Sequence, residues 1–261
     1  MRQDDHPTGL VDRRPTSHQL VAEVIRRRIA LGDFPPGSRL PTERELSEVL
    51  GVGRNTVRQA LRQLTEEGLV STTLGRSGGT RVRAAAEAAH TPRAEIIASF
   101  RATIRDCLEY RQAIEPFAAR LAAERAPTEV RRQLLRLLDE PAQDLSSYHR
   151  LDSAFHLGLA AASGNPMLHR AIEAARAEMF VGGNALWLQA GWSLGHAEGV
   201  SAGPRLREEH LAIALAVLAG DGPAAEARMR EHLDHSRQQF RFLIDQLERL
   251  TGDRPVGPAD G

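Results

Sequence analysis

Four residues on three predicted helical segments have the types that bind a divalent metal ion. Asp152 and His156 are separated by four positions, so both would project from one face of a helix. His210 lies in an otherwise apolar segment, and His232 lies on the last predicted helix. Three imidazoles and one carboxylate suit Zn²⁺, Ni²⁺ or Mn²⁺. Because the segments are far apart in sequence, spacing alone also fits ordinary core histidines whose ring nitrogens are hydrogen-bonded.

The same residues raise the alternative of a metal-dependent hydrolase. Such an enzyme needs an open metal position, a general base and a substrate cleft. Glu209, Glu231 and Asp234 are candidate bases, but none lies in a hydrolase motif such as His-Glu-x-x-His. We therefore predict that the chain is not an enzyme.

A second group of residues has the chemistry of DNA recognition. Arg54, Arg58 and Arg62 recur every four positions and form one outward row on a predicted helix. Asn55 and Thr56 fall in its first turn, where a recognition helix meets base edges. Arginine can pair bidentately with guanine, and asparagine with adenine. A row of arginines alone is also typical of a solvated helix face.

The segments around this row predict a helix-turn-helix followed by a β-hairpin. Thr42 and Glu45 fit a capping box that starts one short helix, and the arginine-bearing helix follows after a glycine turn. Residues 69–74 and 80–83 are strand-like and flank a basic, glycine-rich turn near Gly75. This order of elements predicts a winged helix-turn-helix.

The C-terminal half contains only helical periodicity. Breaks rich in Gly and Pro at 164–166 and 220–223 separate its segments, and no strand alternation occurs. The predicted fold class is therefore mainly α, with an N-terminal winged helix-turn-helix and a C-terminal all-α helical bundle. The arrangement of residues 181–205, which hold both tryptophans, stays open.

The pattern predicts five parts of the chain. They are a disordered tail (1–15), a winged helix-turn-helix DNA-binding domain (16–83), a linker (84–92), an all-helical effector-binding and dimerisation domain (93–250) and a second disordered tail (251–261).

Composition narrows the class of protein further. No run of about 18 apolar residues occurs, so no membrane-spanning helix is expected. A single cysteine, Cys107, excludes an internal disulfide and fits a cytoplasmic location. The chain has no lysine, and residues 1–83 hold 14 arginines against 10 acidic residues. This mild positive excess permits nucleic-acid binding without establishing it.

Three motifs in the N-terminal half carry a resemblance. They read Pro-Gly-Ser-Arg-Leu-Pro-Thr-Glu-Arg-Glu-Leu at 36–46, Arg-Asn-Thr-Val-Arg-Gln-Ala-Leu at 54–61 and Leu-Thr-Glu-Glu-Gly-Leu-Val at 64–70. With them, residues 17–83 resemble the winged helix-turn-helix of GntR-type bacterial transcriptional regulators. The resemblance implies that Arg44, Arg54 and Arg58 touch DNA together with the wing tip near Gly75. Gly53 departs from the family, which usually has a hydroxyl residue before the arginine.

Five further motifs extend the resemblance into the C-terminal half. They are Glu-Tyr-Arg-Gln-Ala-Ile-Glu at 109–115, Asp-Ser-Ala-Phe-His at 152–156, Ala-Ser-Gly-Asn-Pro at 162–166, Glu-His-Leu-Ala-Ile at 209–213 and Glu-His-Leu at 231–233. Residues of about 100–245 thus resemble the FCD ligand-binding domain of FadR-like GntR regulators. Such domains often hold a metal on one Asp and three His, which implies the ligands Asp152, His156, His210 and His232. Arg111 stands where such domains have an arginine that can reach an anionic effector.

The leading hypothesis is a metabolite-responsive transcriptional regulator, acting as a repressor. A homodimer would read a pseudo-palindromic operator in double-stranded DNA. A small organic acid would bind near the metal in the helical domain and modulate operator binding. An alternative keeps the DNA binding and makes the metal purely structural.

Overall fold

The computed structural model describes residues 15–73, 75, 78–83, 93–141, 145–189 and 202–251. The predicted linker and nearly all of both predicted tails lie outside these residues, and so does Trp192. The elements are, in chain order, α1 (Ser17–Ala30), α2 (Glu43–Leu50), α3 (Arg54–Glu66), β1 (Val70–Thr73), β2 (Gly79–Val82), α4 (Arg93–Arg125), α5 (Thr128–Arg136), α6 (Leu145–Ala162), α7 (Pro166–Gln189), α8 (Ala202–Ala219) and α9 (Gly222–Thr251). The predicted fold class is confirmed.

The helix-turn-helix forms because local signals start and stop α2. The Thr42 hydroxyl accepts a hydrogen bond from the Glu45 amide at 3.3 Å, and the Glu45 carboxylate accepts one from the Thr42 amide at 2.8 Å. Gly51 then takes a left-handed conformation with φ of 65°, which ends α2 and turns the chain into α3. The inward side of α3 is apolar and buried at Val57, Ala60, Leu61 and Leu64.

The wing is a two-stranded antiparallel hairpin beside α3. β1 pairs with β2 in a register that runs from Val70 opposite Val82 to Thr73 opposite Gly79. The segment before α2 joins the other side of β2, because the Leu40 amide donates to the Thr80 carbonyl. The hairpin is thereby fixed to the same core as α3.

Helix α4 is the central element of the C-terminal half. It lies antiparallel to α9, since Arg101 pairs with Glu248 at one end and Arg120 lies 3.5 Å from Glu226 at the other. α6, α7 and α8 also pack against α4. The main core lies between these helices and α5, and it includes Ala119, Phe155, Leu159, Ile213, Val217 and Met229.

One apolar cluster joins the two halves of the chain. Ala30 and Leu31 from the end of α1 share it with Phe100 and Ile104 of α4 and Phe180 of α7. The first helix of the DNA-binding half therefore rests on the helical bundle.

Most helices of the C-terminal half are long. α4 spans 33 residues from Arg93, and α7 continues from Pro166 to Gln189. The paired glycines at 182 and 183 lower helix propensity but do not end α7. Among the described helices, none has the length and hydropathy needed to cross a bilayer.

Candidate functional site

Three helices bring the four predicted metal ligands together. α6 presents Asp152 and His156, α8 presents His210, and α9 presents His232. One potential ligand atom from each residue lies within 4.8 Å of the others, and these four atoms are called the donor set below. The three imidazoles are buried, and the Asp152 side chain is only 11% exposed.

Two of the separations among these atoms match those around a tetrahedral ion. Two nitrogens bound to zinc at its usual distance lie about 3.3 Å apart. The Nε2 atoms of His156 and His232 are 3.2 Å apart, and His210 Nε2 lies 3.4 Å from Asp152 Oδ1. His210 Nε2 is buried and has no hydrogen-bond partner among the described residues. A buried nitrogen without a partner is costly, and a bound cation would satisfy it.

A buried glutamate orients the first of these imidazoles. Glu115 lies 2.5 Å from His156 Nδ1. Burial acts to raise the pKa of Glu115, but Arg111 and His156 outweigh it and hold that pKa well below its usual range. Glu115 is therefore ionised and can only accept, so His156 Nδ1 donates and its Nε2 keeps a free lone pair. Burial, with the nearby Arg176, lowers the pKa of His156 to about 4, which keeps the ring neutral.

A second carboxylate orients the imidazole on α9. Glu209 accepts from His232 Nδ1 at 2.9 Å and from His235 Nδ1 at 2.8 Å. His232 Nε2 is therefore free to face the other three atoms of the donor set, as a metal ligand requires. His235 itself stays outside that set.

Two buried arginines lie beside the donor set and differ in how they are satisfied. Arg111 is ion-paired with Glu115 through Nε at 2.5 Å, and its Nη1 points at the sulfur of Met179. Arg176 donates through Nη2 to Asp152, while its Nε and Nη1 are buried with no hydrogen-bond partner among the described residues. Its side chain is fully buried. Burial is also the main reason that the pKa of Arg176 lies below its ordinary value.

The sequence resemblance pointed to Arg111 as the candidate effector contact, and Arg176 was not singled out from the sequence. A signal for Arg176 was present in the sequence. Ile172, Met179 and Phe180 fall on the buried side of α7, and Arg176 occupies the same side. An arginine in a core-facing position needs an anionic partner or a functional reason.

The predicted DNA contacts lie at the surface of the winged domain. Arg54 and Asn55 are exposed in the first turn of α3, and Thr56 beside them is half-buried. Gly53 is the N-cap of α3 and offers no side chain there. Gly75 is exposed at the tip of the hairpin with φ of 117°.

Two of the predicted DNA contacts, Arg44 and Arg58, form ion pairs with glutamates of α2. Arg58 donates to both Glu43 carboxylate oxygens, at 3.2 and 2.9 Å, and Arg44 donates to Glu48 at 3.0 Å. All four side chains are at least 37% exposed, so these pairs contribute little to stability. Their guanidinium groups can therefore exchange a carboxylate for a phosphate.

Comparison with known proteins agrees with both halves of the molecule. Residues 18–82 match the family model of bacterial regulatory proteins of the gntR family, and residues 106–235 match the FCD domain. The chain is 36% identical over 253 residues to the HTH-type transcriptional regulator RmpR of Mycobacterium gastri, covering 92% of this chain and 85% of the relative. It is 29% identical over 239 residues to the HTH-type transcriptional repressor NanR of Cronobacter sakazakii, covering 85% and 86%.

A solved structure similar to this one is E. coli McbR/YncC, with 21% identity, a TM-score of 0.48 and coverage of 89% of this chain and 99% of that one. The fold and the sequence similarity together define a DNA-binding transcriptional regulator. The chain belongs to the GntR family of bacterial regulatory proteins, with an FCD domain as its second half. It is not an enzyme, as the sequence predicted, so the hydrolase alternative is wrong.

Proposed function

We propose that this regulator is a metabolite-responsive repressor whose effector is a small organic acid. The observation that carries the proposal is the guanidinium of Arg176, which is fully buried beside Asp152 and keeps two donors without a partner among the described residues. Buried donors without a partner are costly, and a carboxylate forms strong, charge-assisted hydrogen bonds with them. The acid would therefore bind at the donor set.

Asp152, His156, His210 and His232 would hold a divalent metal ion, with Zn²⁺, Ni²⁺ and Mn²⁺ all suited to these ligands. Such an ion, when bound, supplies positive charge that attracts the effector carboxylate. Arg176 would bind the same carboxylate through Nε and Nη1. Arg111, the sequence-predicted effector contact, would instead hold Glu115 in place and so orient His156.

A route from this site to the DNA-binding half runs through two helices. On α7, Arg176 precedes Phe180 by one turn, and its guanidinium lies 5.4 Å from the centre of that ring. Phe180 packs in the cluster that contains Ala30 and Leu31 of α1. A carboxylate that draws Arg176 toward itself would shift Phe180. Because Phe180 packs against the end of α1, the position of α1 on the helical bundle would shift too.

A second contact between the two halves of the chain involves α6. Gly32, directly after α1, has φ of 88°, and a Cβ placed there would lie 3.2 Å from the Cβ of Arg150. Arg150 precedes Asp152 by two residues. Effector binding would thus bias the orientation of the winged domain through α6 as well as α7.

The regulator would act in the cytoplasm as a homodimer on a pseudo-palindromic operator. Two copies of α3 would enter successive major grooves, with Arg54, Asn55, Thr56 and Arg58 near base edges. Arg44 and the backbone near Gly75 would contact phosphates. The exposure of Arg44, Arg54, Asn55 and Arg58 supports this arrangement.

A purely structural metal is the second candidate, because four protein ligands can close a tetrahedral site. The two candidates differ in their response to organic acids. A thermal-shift screen of small mono- and dicarboxylates, run on metal-free and Zn²⁺-loaded protein, should find acids that raise the melting temperature only when Zn²⁺ is present.

The variant Arg176→Lys keeps the positive charge beside Asp152 but loses the planar set of donors. It should retain Zn²⁺ stabilisation and lose the response to the acid, whereas Arg170→Lys on the exposed side of α7 should retain both. An undiminished acid response in Arg176→Lys, or no acid response in the parent protein, would reject the proposal and leave the structural metal.

A further inference from the structure

A cavity of about 280 Å³ lies between α4 and α9, and none of the four candidate metal ligands lines it. Nearer the metal ligands, direct contacts close the gap between these two helices. Gln112 Nε2 donates to Asp234 Oδ1 at 3.1 Å, and Arg120 lies 3.5 Å from Glu226. The cavity is therefore a local opening in an otherwise tightly packed pair of helices.

The floor of the cavity is apolar. Ile104 and Leu108 from α4 and Phe240 and Ile244 from α9 line it. Ile104, Leu108 and Ile244 are at most 5% exposed, so their side chains belong to the core beneath the opening. An aliphatic or aromatic body placed here would be removed from water on several sides.

The rim of the cavity is positively charged. α4 contributes Arg101 and Arg105, and α9 contributes Arg237 and Arg241, each pair separated by one helical turn. Two carboxylates, Glu109 and Asp245, also line the opening, so arginines outnumber carboxylates among the lining residues. Arginine side chains offer several donors each to an anionic group.

These arginines can exchange their present partners. Arg105 pairs with Asp106 and Arg237 with Asp234, each at 2.8 Å, and all four side chains are 41% exposed or more. Exposed pairs of this kind contribute at most about 1 kcal/mol. Arg241 is exposed and makes no ion pair with any described residue. Arg101 differs, because it pairs with Glu248, whose side chain is only 21% exposed. Arg105, Arg237 and Arg241 could therefore bind an anionic head group while the Arg101 pair stays intact.

We propose that this cavity binds an amphipathic organic anion, a carboxylate or phosphate monoester on a short aliphatic or aromatic body. The body would cover the apolar floor, and the head group would receive hydrogen bonds from the arginines across the opening. This site is separate from the metal ligands and does not depend on the proposed effector at Arg176.

The position of the cavity gives such a ligand a consequence for DNA binding. Ile104, Leu108 and Ile244 belong to the cluster that also contains Ala30 and Leu31 at the end of α1. A ligand on this floor would stabilise one arrangement of the joint between the two halves. The cavity would thus act as a second regulatory input.

Calorimetry on the full-length, Zn²⁺-loaded protein tests the proposal with octanoate and octyl phosphate as probes. Both should bind, and the tighter one identifies the head group. Acetate lacks the apolar body and 1-octanol lacks the charge, so each should bind at least tenfold more weakly. Arg241→Gln should weaken octanoate binding about tenfold, since it removes a charge-assisted hydrogen bond.

Two variants serve as controls. Arg228→Gln lies on α9 outside the cavity, where Arg228 pairs with Glu231, and should leave octanoate binding unchanged. Arg176→Lys removes the other proposed carboxylate site, so octanoate should still bind this variant, and Arg241→Gln should weaken that binding about tenfold in the same background. Equal loss in Arg228→Gln, complete loss of octanoate binding in Arg176→Lys, binding of 1-octanol as tight as that of octanoate, or no binding of either anion would each overturn the proposal. The last outcome would show that the opening is closed or covered by a second copy of the chain.

Discussion

Glu209 should control metal affinity although it is not one of the four ligands. Its carboxylate accepts from His232 Nδ1 at 2.9 Å and from His235 Nδ1 at 2.8 Å. Glu209→Gln replaces a charged acceptor with a neutral amide that can also donate, which weakens the orientation of His232 and lowers its basicity. Loss of such a partner typically reduces metal affinity 10- to 100-fold, or about 1.4 to 2.7 kcal/mol.

Glu209 is a cleaner test than Glu115. Glu115 is 2% exposed and pairs with Arg111 as well as His156, so Glu115→Gln would leave a buried guanidinium without its counter-charge. That defect alone costs about 3 to 5 kcal/mol and would confuse folding with metal binding. Glu209 lies at the edge of the site, with its side chain 17% exposed.

The assay is competitive titration of Zn²⁺ against a chromophoric chelator, with the melting temperature of the metal-free protein recorded in parallel. Glu208→Gln, the exposed neighbour on α8, is the matched control and should keep the parent affinity. If Glu209→Gln and Glu208→Gln bind Zn²⁺ equally well, the carboxylate does not orient His232 and the description of the site is wrong.

Three other changes have defined outcomes. Arg44→Gln should weaken DNA binding and reduce the slope of log affinity against log salt by about 1, as measured by fluorescence anisotropy, and an unchanged slope would place Arg44 away from phosphate. Cys107 should resist iodoacetamide at pH 8 in the native protein, because burial raises the pKa of its thiol to about 11, so rapid native alkylation would contradict its placement. Gly158→Ala should cost about 1 to 3 kcal/mol by chemical denaturation, since the new Cβ would lie 2.9 Å from Leu134 Cδ2, and a neutral effect would show that Leu134 can move.

The winged domain was predictable from sequence because its signals are local. The Thr42–Glu45 capping box and the left-handed turn at Gly51 fix α2 and the start of α3 without help from distant residues. The wing is likewise bounded by glycines, with Gly75 at its tip. Spacing within a few residues was sufficient to place these elements.

The metal ligands could be predicted only in part from local spacing. Asp152 and His156 share a helix face by spacing, but His210 and His232 reach them only because α8 and α9 pack against the other helices. The sequence therefore offered a set of candidate ligands, supported by family resemblance, and the fold brings them within reach of one ion.

The two arginines show where sequence reasoning stops. Glu115, four residues after Arg111, is a local signal for the ion pair that occupies the Arg111 guanidinium. The partner of Arg176 could not be predicted from spacing, because Asp152 lies on another helix. Tertiary contacts decided the difference.

A carboxylate at Arg176 should change DNA binding through the helical domain. The direct measurement is the Kd of the Zn²⁺-loaded protein for its own promoter DNA, by fluorescence anisotropy, at increasing concentrations of the acid identified by thermal shift. The acid should weaken operator binding by the parent protein and not by Arg176→Lys, with both proteins binding DNA equally in its absence. An operator affinity that the acid does not change, or changes equally in both proteins, would contradict the proposal.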